Sequence, residues 1–108
     1  MLRLHAVVET PEFLTGAKHV LNESERVALI DFLAQNPMAG DLMQGTGGAR
    51  KVRWAANGKG KSGGVRVIYY DASDLDQIRM LLIYKKGIKD DLSPKEKAIL
   101  REINRRWA

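Results

Sequence analysis

Six positively charged side chains lie between Leu42 and Tyr70, and this span contains no aspartate or glutamate. Their charge is local: residues 1–41 carry a net −3 (three basic, six acidic), 42–70 carry +6, and 71–108 carry +2 (nine basic, seven acidic). Basic side chains concentrated in one segment are typical of a site that binds a polyanion. The six residues are Arg50, Lys51, Arg53, Lys59, Lys61 and Arg66.

The alternation of polar and apolar residues places three of these cations on one side of a predicted sheet. In the strand predicted over 51–55, Lys51 and Arg53 alternate with apolar residues. Arg66 lies on the next predicted strand, over 65–70, and joins them if the two strands pair in register. Like charges opposite each other destabilise a sheet, so the arrangement favours an anionic ligand such as phosphate. The alternative is that long basic side chains only solvate an exposed face.

Other kinds of active site find little support in the sequence. The run GKGKS at 58–62 resembles the end of a P-loop, but Ala55 replaces the first glycine of that motif and a strand is predicted to follow. We interpret the run as a basic hairpin tip that approaches an RNA or a partner, with a plain flexible turn as the alternative. His5 and His19 have no second histidine at ligand spacing, which indicates structural roles and no metal site.

The composition is that of an ordinary globular domain. The chain has 108 residues, of which 44% are hydrophobic and 29% charged, so we expect one domain spanning 1–108. It contains no cysteine, which excludes disulfides and a thiolate nucleophile. No apolar run reaches the roughly 18 residues of a membrane span, and the start MLRLHAVVE is too short and interrupted for a signal peptide. We therefore expect a cytosolic protein without a membrane partner.

The periodicity of apolar residues predicts an α+β fold with the element order βααβββα. We expect the N-terminal helices to form a hairpin on one face of an antiparallel, twisted sheet, with the C-terminal helix in the same helical layer. Strands are predicted over 4–9, 51–55, 65–70 and 77–85. Helices are predicted from Pro11 to about Leu21, from a cap at Asn22 or Ser24 to Asn36, and from Pro94 onward.

Two longer motifs resemble a known family. The runs GTGGARKVR at 45–53 and GKGKSGGVRVIYY at 58–70, followed by LLIYKK at 81–86 and KDDLSPKEK at 89–97, resemble the RelE/ParE toxin superfamily and especially its HigB-type branch. The resemblance covers nearly the whole chain and implies a RelE-like fold. Members of this group are toxins of bacterial type II toxin–antitoxin systems that cleave mRNA in the ribosomal A site and block translation.

The resemblance also implies a set of catalytic residues. Lys51 and Arg53 match basic positions that ribosome-dependent members use on the scissile phosphate, Arg66 matches an arginine on the following strand, and Lys86 matches a lysine after the last strand. The sequence departs from the family pattern at Gly87-Ile88, where Arg or Asn followed by Glu is frequent, and at Ser93, where some members have tyrosine.

The chemistry of RNA cleavage suggests how these residues divide the work. Attack of the ribose 2′-hydroxyl on its own phosphate needs a proton acceptor, a stabiliser of the charged phosphorane and a proton donor for the departing 5′-oxygen. Without a histidine in the site, lysine and arginine must supply these functions, and crowded cations disfavour the charged form of a lysine. We predict Lys51 as base, Arg53 and Arg66 as phosphate clamps, and Lys86 as a secondary contact or proton donor. Contacts to RNA or the ribosome are predicted for Arg50, Lys59, Lys61, Tyr70 and Tyr84.

The resemblance implies partners but no metal or other cofactor. The expected partners are the 70S ribosome with its mRNA and a cognate antitoxin, which would be a HigA-type helix-turn-helix protein encoded next to this chain. Operator DNA would be bound only through the antitoxin complex. Two other functions stay open: a ParE-like toxin that inhibits DNA gyrase without catalysis, and an inactive RNA-binding relative.

Overall fold

A computed structural model describes residues 6–55, 64–72, 75–85 and 92–107, which form three helices and a five-stranded sheet. The predicted α+β fold and the order of its elements are confirmed, with one short strand added. The strands are β1 (Ala6–Glu9), β2 (Asp41–Leu42), β3 (Ala49–Trp54), β4 (Val65–Ala72) and β5 (Gln77–Lys85). The helices are α1 (Pro11–Val20), α2 (Glu23–Gln35) and α3 (Pro94–Trp107).

The sheet has the strand order β1-β5-β4-β3-β2. Strands β3, β4 and β5 form the predicted antiparallel meander, and β2 pairs antiparallel with β3. Strand β1 runs parallel to β5, so the sheet is mixed and the prediction of a purely antiparallel sheet was wrong at this edge. The chain topology explains this pairing. The helical hairpin connects β1 at one edge of the sheet to β2 at the other edge, and the antiparallel strands β3, β4 and β5 then lie successively closer to β1.

Helices α1 and α2 cover one face of the sheet, as predicted. Their buried side chains Phe13, Ala17, Leu29 and Leu33 pack with residues of β4 and β5 in one cluster, which we call the α1–α2 cluster. Helix α1 lies directly on β5, since a Cβ added at Gly16 would be 2.9 Å from a backbone oxygen of the strand. Helices α1 and α2 therefore cover this face of the sheet.

Helix α3 packs on the opposite face, which corrects the prediction of a single helical layer. Leu92 and Leu100 belong to a second buried cluster, which we call the α3 cluster, together with Ala49, Ile68 and Leu81 of the strands. The central strands explain this arrangement, because β4 and β5 carry apolar residues on both sides and need cover on both faces.

Candidate functional site

The glycine-rich turn 45–48 positions α3 beside the basic strands. Gly45, Gly47 and Gly48 have φ values of +78°, +77° and +107°, a region that favours glycine over residues with a side chain. Thr46 is buried inside the turn, where its hydroxyl donates to the carbonyl of Met43 (2.7 Å) and accepts from the backbone N–H of Ala49 (3.0 Å). These bonds close the hairpin between β2 and β3.

Helix α3 docks onto this turn through two side chains. The Nδ2 of buried Asn104 donates to the carbonyl of Thr46 (3.0 Å), and Arg101 donates to the carbonyl of Gly45 (3.2 Å). A Cβ at Gly47 would lie 3.4 Å from the Cγ of Arg101, an ordinary contact distance, so the positive φ and not a lack of space favours glycine there. The GTGG motif at 45–48 therefore binds α3 and fixes its position on the sheet. This structural role could not be predicted from the basic residues that follow the motif.

The pairing of β3, β4 and β5 brings the predicted cations together. Arg53 lies directly opposite Arg66, which in turn lies opposite Tyr84 on β5. Lys51 is two residues before Arg53 and lies opposite Ile68, a member of the α3 cluster. Side chains directly opposite each other, or two residues apart on a strand, share a face. Lys51, Arg53 and Arg66 consequently lie on the α3 face of the sheet.

These cations differ in exposure. Arg53 is exposed, Lys51 is half-buried, and Arg66 is only 9% exposed. The burial of the two opposed arginines thus increases from Arg53 on β3 to Arg66 on β4, the central strand. An anion that approaches from solvent meets Arg53 first and reaches Arg66 only at the sheet surface.

Strand β2 adds a carboxylate to this patch. Asp41 lies directly opposite Lys51, so its side chain shares the face of the cations. Two neighbours support this orientation, because Met43 packs in the α3 cluster whereas the backbone of Gly40 contacts Tyr69 in the opposite cluster. Asp41 is exposed and lies at the open edge of the sheet. We call Asp41, Lys51, Arg53 and Arg66 the charged patch.

Arg50 lies on the opposite face from the charged patch. Its neighbour across the sheet is Tyr69 of the α1–α2 cluster, and its guanidinium donates to the carbonyl of Gly40 at 2.7 Å. The sequence analysis predicts a contact of Arg50 with RNA or the ribosome, and because successive residues of a strand point to opposite faces, that contact would lie on the other face from Lys51 and Arg53. Its contact with Gly40 ties β3 to the segment that leads into β2.

Tyr70 and Tyr84 share the face of the charged patch. Both are half-buried and pack against the α3 cluster. Tyr84 lies next to Arg66, whereas Tyr70 lies four residues farther along β4, where the Arg79 guanidinium carbon is 5.9 Å from its ring centre. Tyr84 is therefore the tyrosine that lies directly beside Arg66.

Most of the remaining predicted site residues lie in parts of the chain that the structure does not describe, and Ser93 is the exception among them. Lys59, Lys61, Lys86 and Gly87-Ile88 lie outside the described residues, as does His5. Ser93, where some RelE members have tyrosine, caps α3: its hydroxyl accepts from the N–H of Glu96 (3.1 Å), whose carboxylate accepts from the N–H of Ser93 (2.9 Å). This reciprocal pair is a capping box and gives Ser93 a structural role.

A buried phenol holds the segment that precedes Asp41. The Tyr69 hydroxyl donates to the carbonyl of Pro37 (2.8 Å) and accepts from the N–H of Gly40 (2.9 Å), and the side chain is fully buried. Burial raises the pKa of Tyr69 above its ordinary value, while the hydrogen bond from Gly40 and the charge of Arg50 act in the opposite direction. Tyr69 links the core of the protein to the entry of β2.

Within the described ranges, no group of three or more His, Cys, Asp or Glu side chains is placed to hold a metal ion. None of the three described helices is long and apolar enough to cross a membrane.

Comparison with known proteins gives a structural match. No protein-family model matches the chain. Its structure is similar to that of the Escherichia coli toxin RelE, solved as a double arginine-to-alanine mutant in the free state, with a TM-score of 0.60 and 14% sequence identity. The match covers 91% of this chain and 97% of the other. The fold is RelE-like. At this identity the similarity establishes the fold alone.

Proposed function

We propose that this protein is the toxin of a type II toxin–antitoxin system, a HigB-type endoribonuclease that cleaves mRNA on the ribosome. The observation that carries the proposal is the charged patch, in which three cations from adjoining strands share one face of a RelE-like sheet. Arg53 and Arg66 lie directly opposite each other on β3 and β4, so their two guanidinium groups can bind one anion together. A phosphate of the RNA backbone supplies that anion.

The cations serve both to bind the phosphate and to stabilise the transition state. Attack by the 2′-hydroxyl gives a phosphorane with additional negative charge, and guanidinium groups bind such oxygens with paired hydrogen bonds. Exposed Arg53 captures the phosphate, and Arg66 holds it against the sheet. Lys51 is the predicted proton acceptor beside them, with Lys86 as a secondary contact or proton donor. A metal ion or other cofactor has no part in this scheme.

The ribosome completes an active site that has weak acid–base groups of its own. Holding the 2′-hydroxyl in line with the departing oxygen supplies much of the acceleration in such reactions. The message bound in the ribosomal A site provides this alignment, so cleavage is restricted to mRNA in translation. The cognate antitoxin, a HigA-type helix-turn-helix protein, prevents access to the ribosome and carries the pair to operator DNA.

The test is cleavage of a translated message. Primer extension on one message, with and without an intact ribosome-binding site, shows cuts within codons only when the message is translated. Arg66→Ala abolishes these cuts and the growth inhibition, whereas Lys18→Ala, which removes an exposed cation from α1 on the other face, leaves both unchanged. Cleavage that persists in Arg66→Ala refutes the assignment. DNA damage without cut mRNA supports a ParE-like gyrase inhibitor, and neither effect supports an inactive RNA-binding relative.

A further inference from the structure

The sequence-based mechanism lacks a good proton acceptor. An ammonium group must lose its proton before it can accept another, and lysine ordinarily titrates near pH ~10.4. A carboxylate is ionised at neutral pH and accepts a proton as it stands. The patch contains one such group, Asp41, on a two-residue strand that the sequence analysis did not predict.

The position of Asp41 suits this role. It lies opposite Lys51 on the exposed edge of the sheet, one row from the Arg53–Arg66 pair. Neighbouring side chains across the strands are separated by about 5 Å at Cβ, and successive rows by about 7 Å along the strands. A nucleotide whose phosphate rests on the arginine row therefore has its ribose within reach of the row formed by Asp41 and Lys51.

We propose that Asp41 is the catalytic proton acceptor of this enzyme, an inference that rests on the proposed function. Its carboxylate takes the proton of the 2′-hydroxyl as the 2′-oxygen forms a bond to phosphorus. The bond between phosphorus and the 5′-oxygen breaks, and the 5′-oxygen takes a proton from the Lys51 ammonium. The products are a 2′,3′-cyclic phosphate and a 5′-hydroxyl, and exchange with water restores the ionised forms of Asp41 and Lys51.

The wild-type dependence of rate on pH separates this mechanism from one in which Lys51 is the base. Single-turnover cleavage of mRNA on programmed ribosomes is measured between pH 7 and 9 at saturating toxin. With Asp41 as base and Lys51 as acid, the rate is level or falls across this range. With neutral Lys51 as base, the rate rises about tenfold per pH unit until the lysine is deprotonated, and that result overturns the proposal. This measurement needs no variant.

Variants of Asp41 provide the second test. Asp41→Asn lowers the single-turnover rate at pH 7 by about 10²–10⁴-fold, the usual contribution of a general base, and makes the remaining rate rise with pH. Affinity for the ribosome and the melting temperature stay near wild type, because Asp41 is exposed. Asp41→Glu restores part of the rate. The matched control is Asp31→Asn, which changes an exposed aspartate on α2 and leaves the rate within twofold of wild type.

The outcomes distinguish the inference from the proposed function. If wild-type protein does not cut translated mRNA, the proposed function fails and the inference fails with it. If wild-type protein cuts and Asp41→Asn cuts at the same rate as Asp31→Asn, only the inference is overturned.

Discussion

The Tyr69→Phe substitution tests how the core positions the edge of the charged patch. It removes one hydroxyl that makes two hydrogen bonds, to the carbonyl of Pro37 and from the N–H of Gly40. A hydrogen bond of this kind contributes about 0.5–1.5 kcal/mol, and a buried donor left without a partner costs about 1–3 kcal/mol. Gly40 is buried, so we expect the free energy of unfolding to fall by about 2–3 kcal/mol.

Urea denaturation measures this loss of free energy directly. In thermal denaturation, the same loss lowers the melting temperature by roughly 10 °C for a domain of this size. The matched control is Tyr70→Phe, because Tyr70 is the next residue but is only half-buried, and its ring remains available to Arg79. The control changes stability by less than about 0.5 kcal/mol, as expected for a substitution away from a buried network. If the two variants lose the same free energy of unfolding, the two hydrogen bonds of the Tyr69 hydroxyl do not stabilise the protein as we infer.

The ionisation of Tyr69 gives an independent measurement. Burial raises the pKa of Tyr69 in the folded state above its value in the unfolded chain, which lies near ~10. The folded state therefore holds the phenol proton more tightly, so its contribution to stability is complete below pH ~10 and is lost as pH rises through the folded-state pKa. Wild-type protein loses stability more steeply with alkali than Tyr69→Phe, and parallel curves contradict the prediction.

Three further substitutions probe the patch and its supports. Arg53→Thr removes an exposed guanidinium of the charged patch, so we expect primer extension to show no mRNA cleavage. Urea denaturation shows a free energy of unfolding within about 0.5 kcal/mol of wild type, and a variant that still cuts translated mRNA contradicts the role of Arg53. Gly47→Ala places a side chain at φ +77° and close to Arg101, so the free energy of unfolding falls by about 1–2 kcal/mol, and an unchanged value refutes the strain. Thr10→Val removes the hydroxyl that caps α1 and donates to the carbonyl of Met80 (2.7 Å). We expect urea denaturation to show a decrease of about 1–3 kcal/mol in the free energy of unfolding, and a decrease below about 0.5 kcal/mol contradicts the role of the cap.

The elements with strong local signals were predictable from the sequence. Thr10 followed by Pro11 marked the start of α1, and the structure shows the Thr10 hydroxyl accepting from the N–H of Phe13. Alternation in β3 predicted that Lys51 and Arg53 share a face, and in-register pairing with β4 added Arg66, so three of the four residues of the charged patch were predictable. Local chemistry and a period of two residues were sufficient for these parts.

The errors concern pairings between distant segments. Nothing in the residues of β1 specifies a parallel partner, because that pairing follows from where the helical hairpin leads the chain. Strand β2 has two residues, too few for any periodicity, so Asp41 could not be placed beside Lys51. The placement of α3 could have been found, since the uninterrupted apolar run of β5 indicates a strand buried on both faces.

The two-sided core explains how the sheet tolerates its cations. Arg66 lies on β4, between Val65 and Val67, which are 1% and 0% exposed and pack against the α1–α2 cluster. Ile68, two residues farther on the same face as Arg66, is fully buried under the α3 cluster. The strand that carries the central arginine is thus held by apolar packing on both sides, to which each fully buried valine or isoleucine side chain contributes about 1.5–3 kcal/mol. A sheet covered on one face only would lack the contribution of Ile68, so the second helical layer stabilises the strand on which Arg66 is presented.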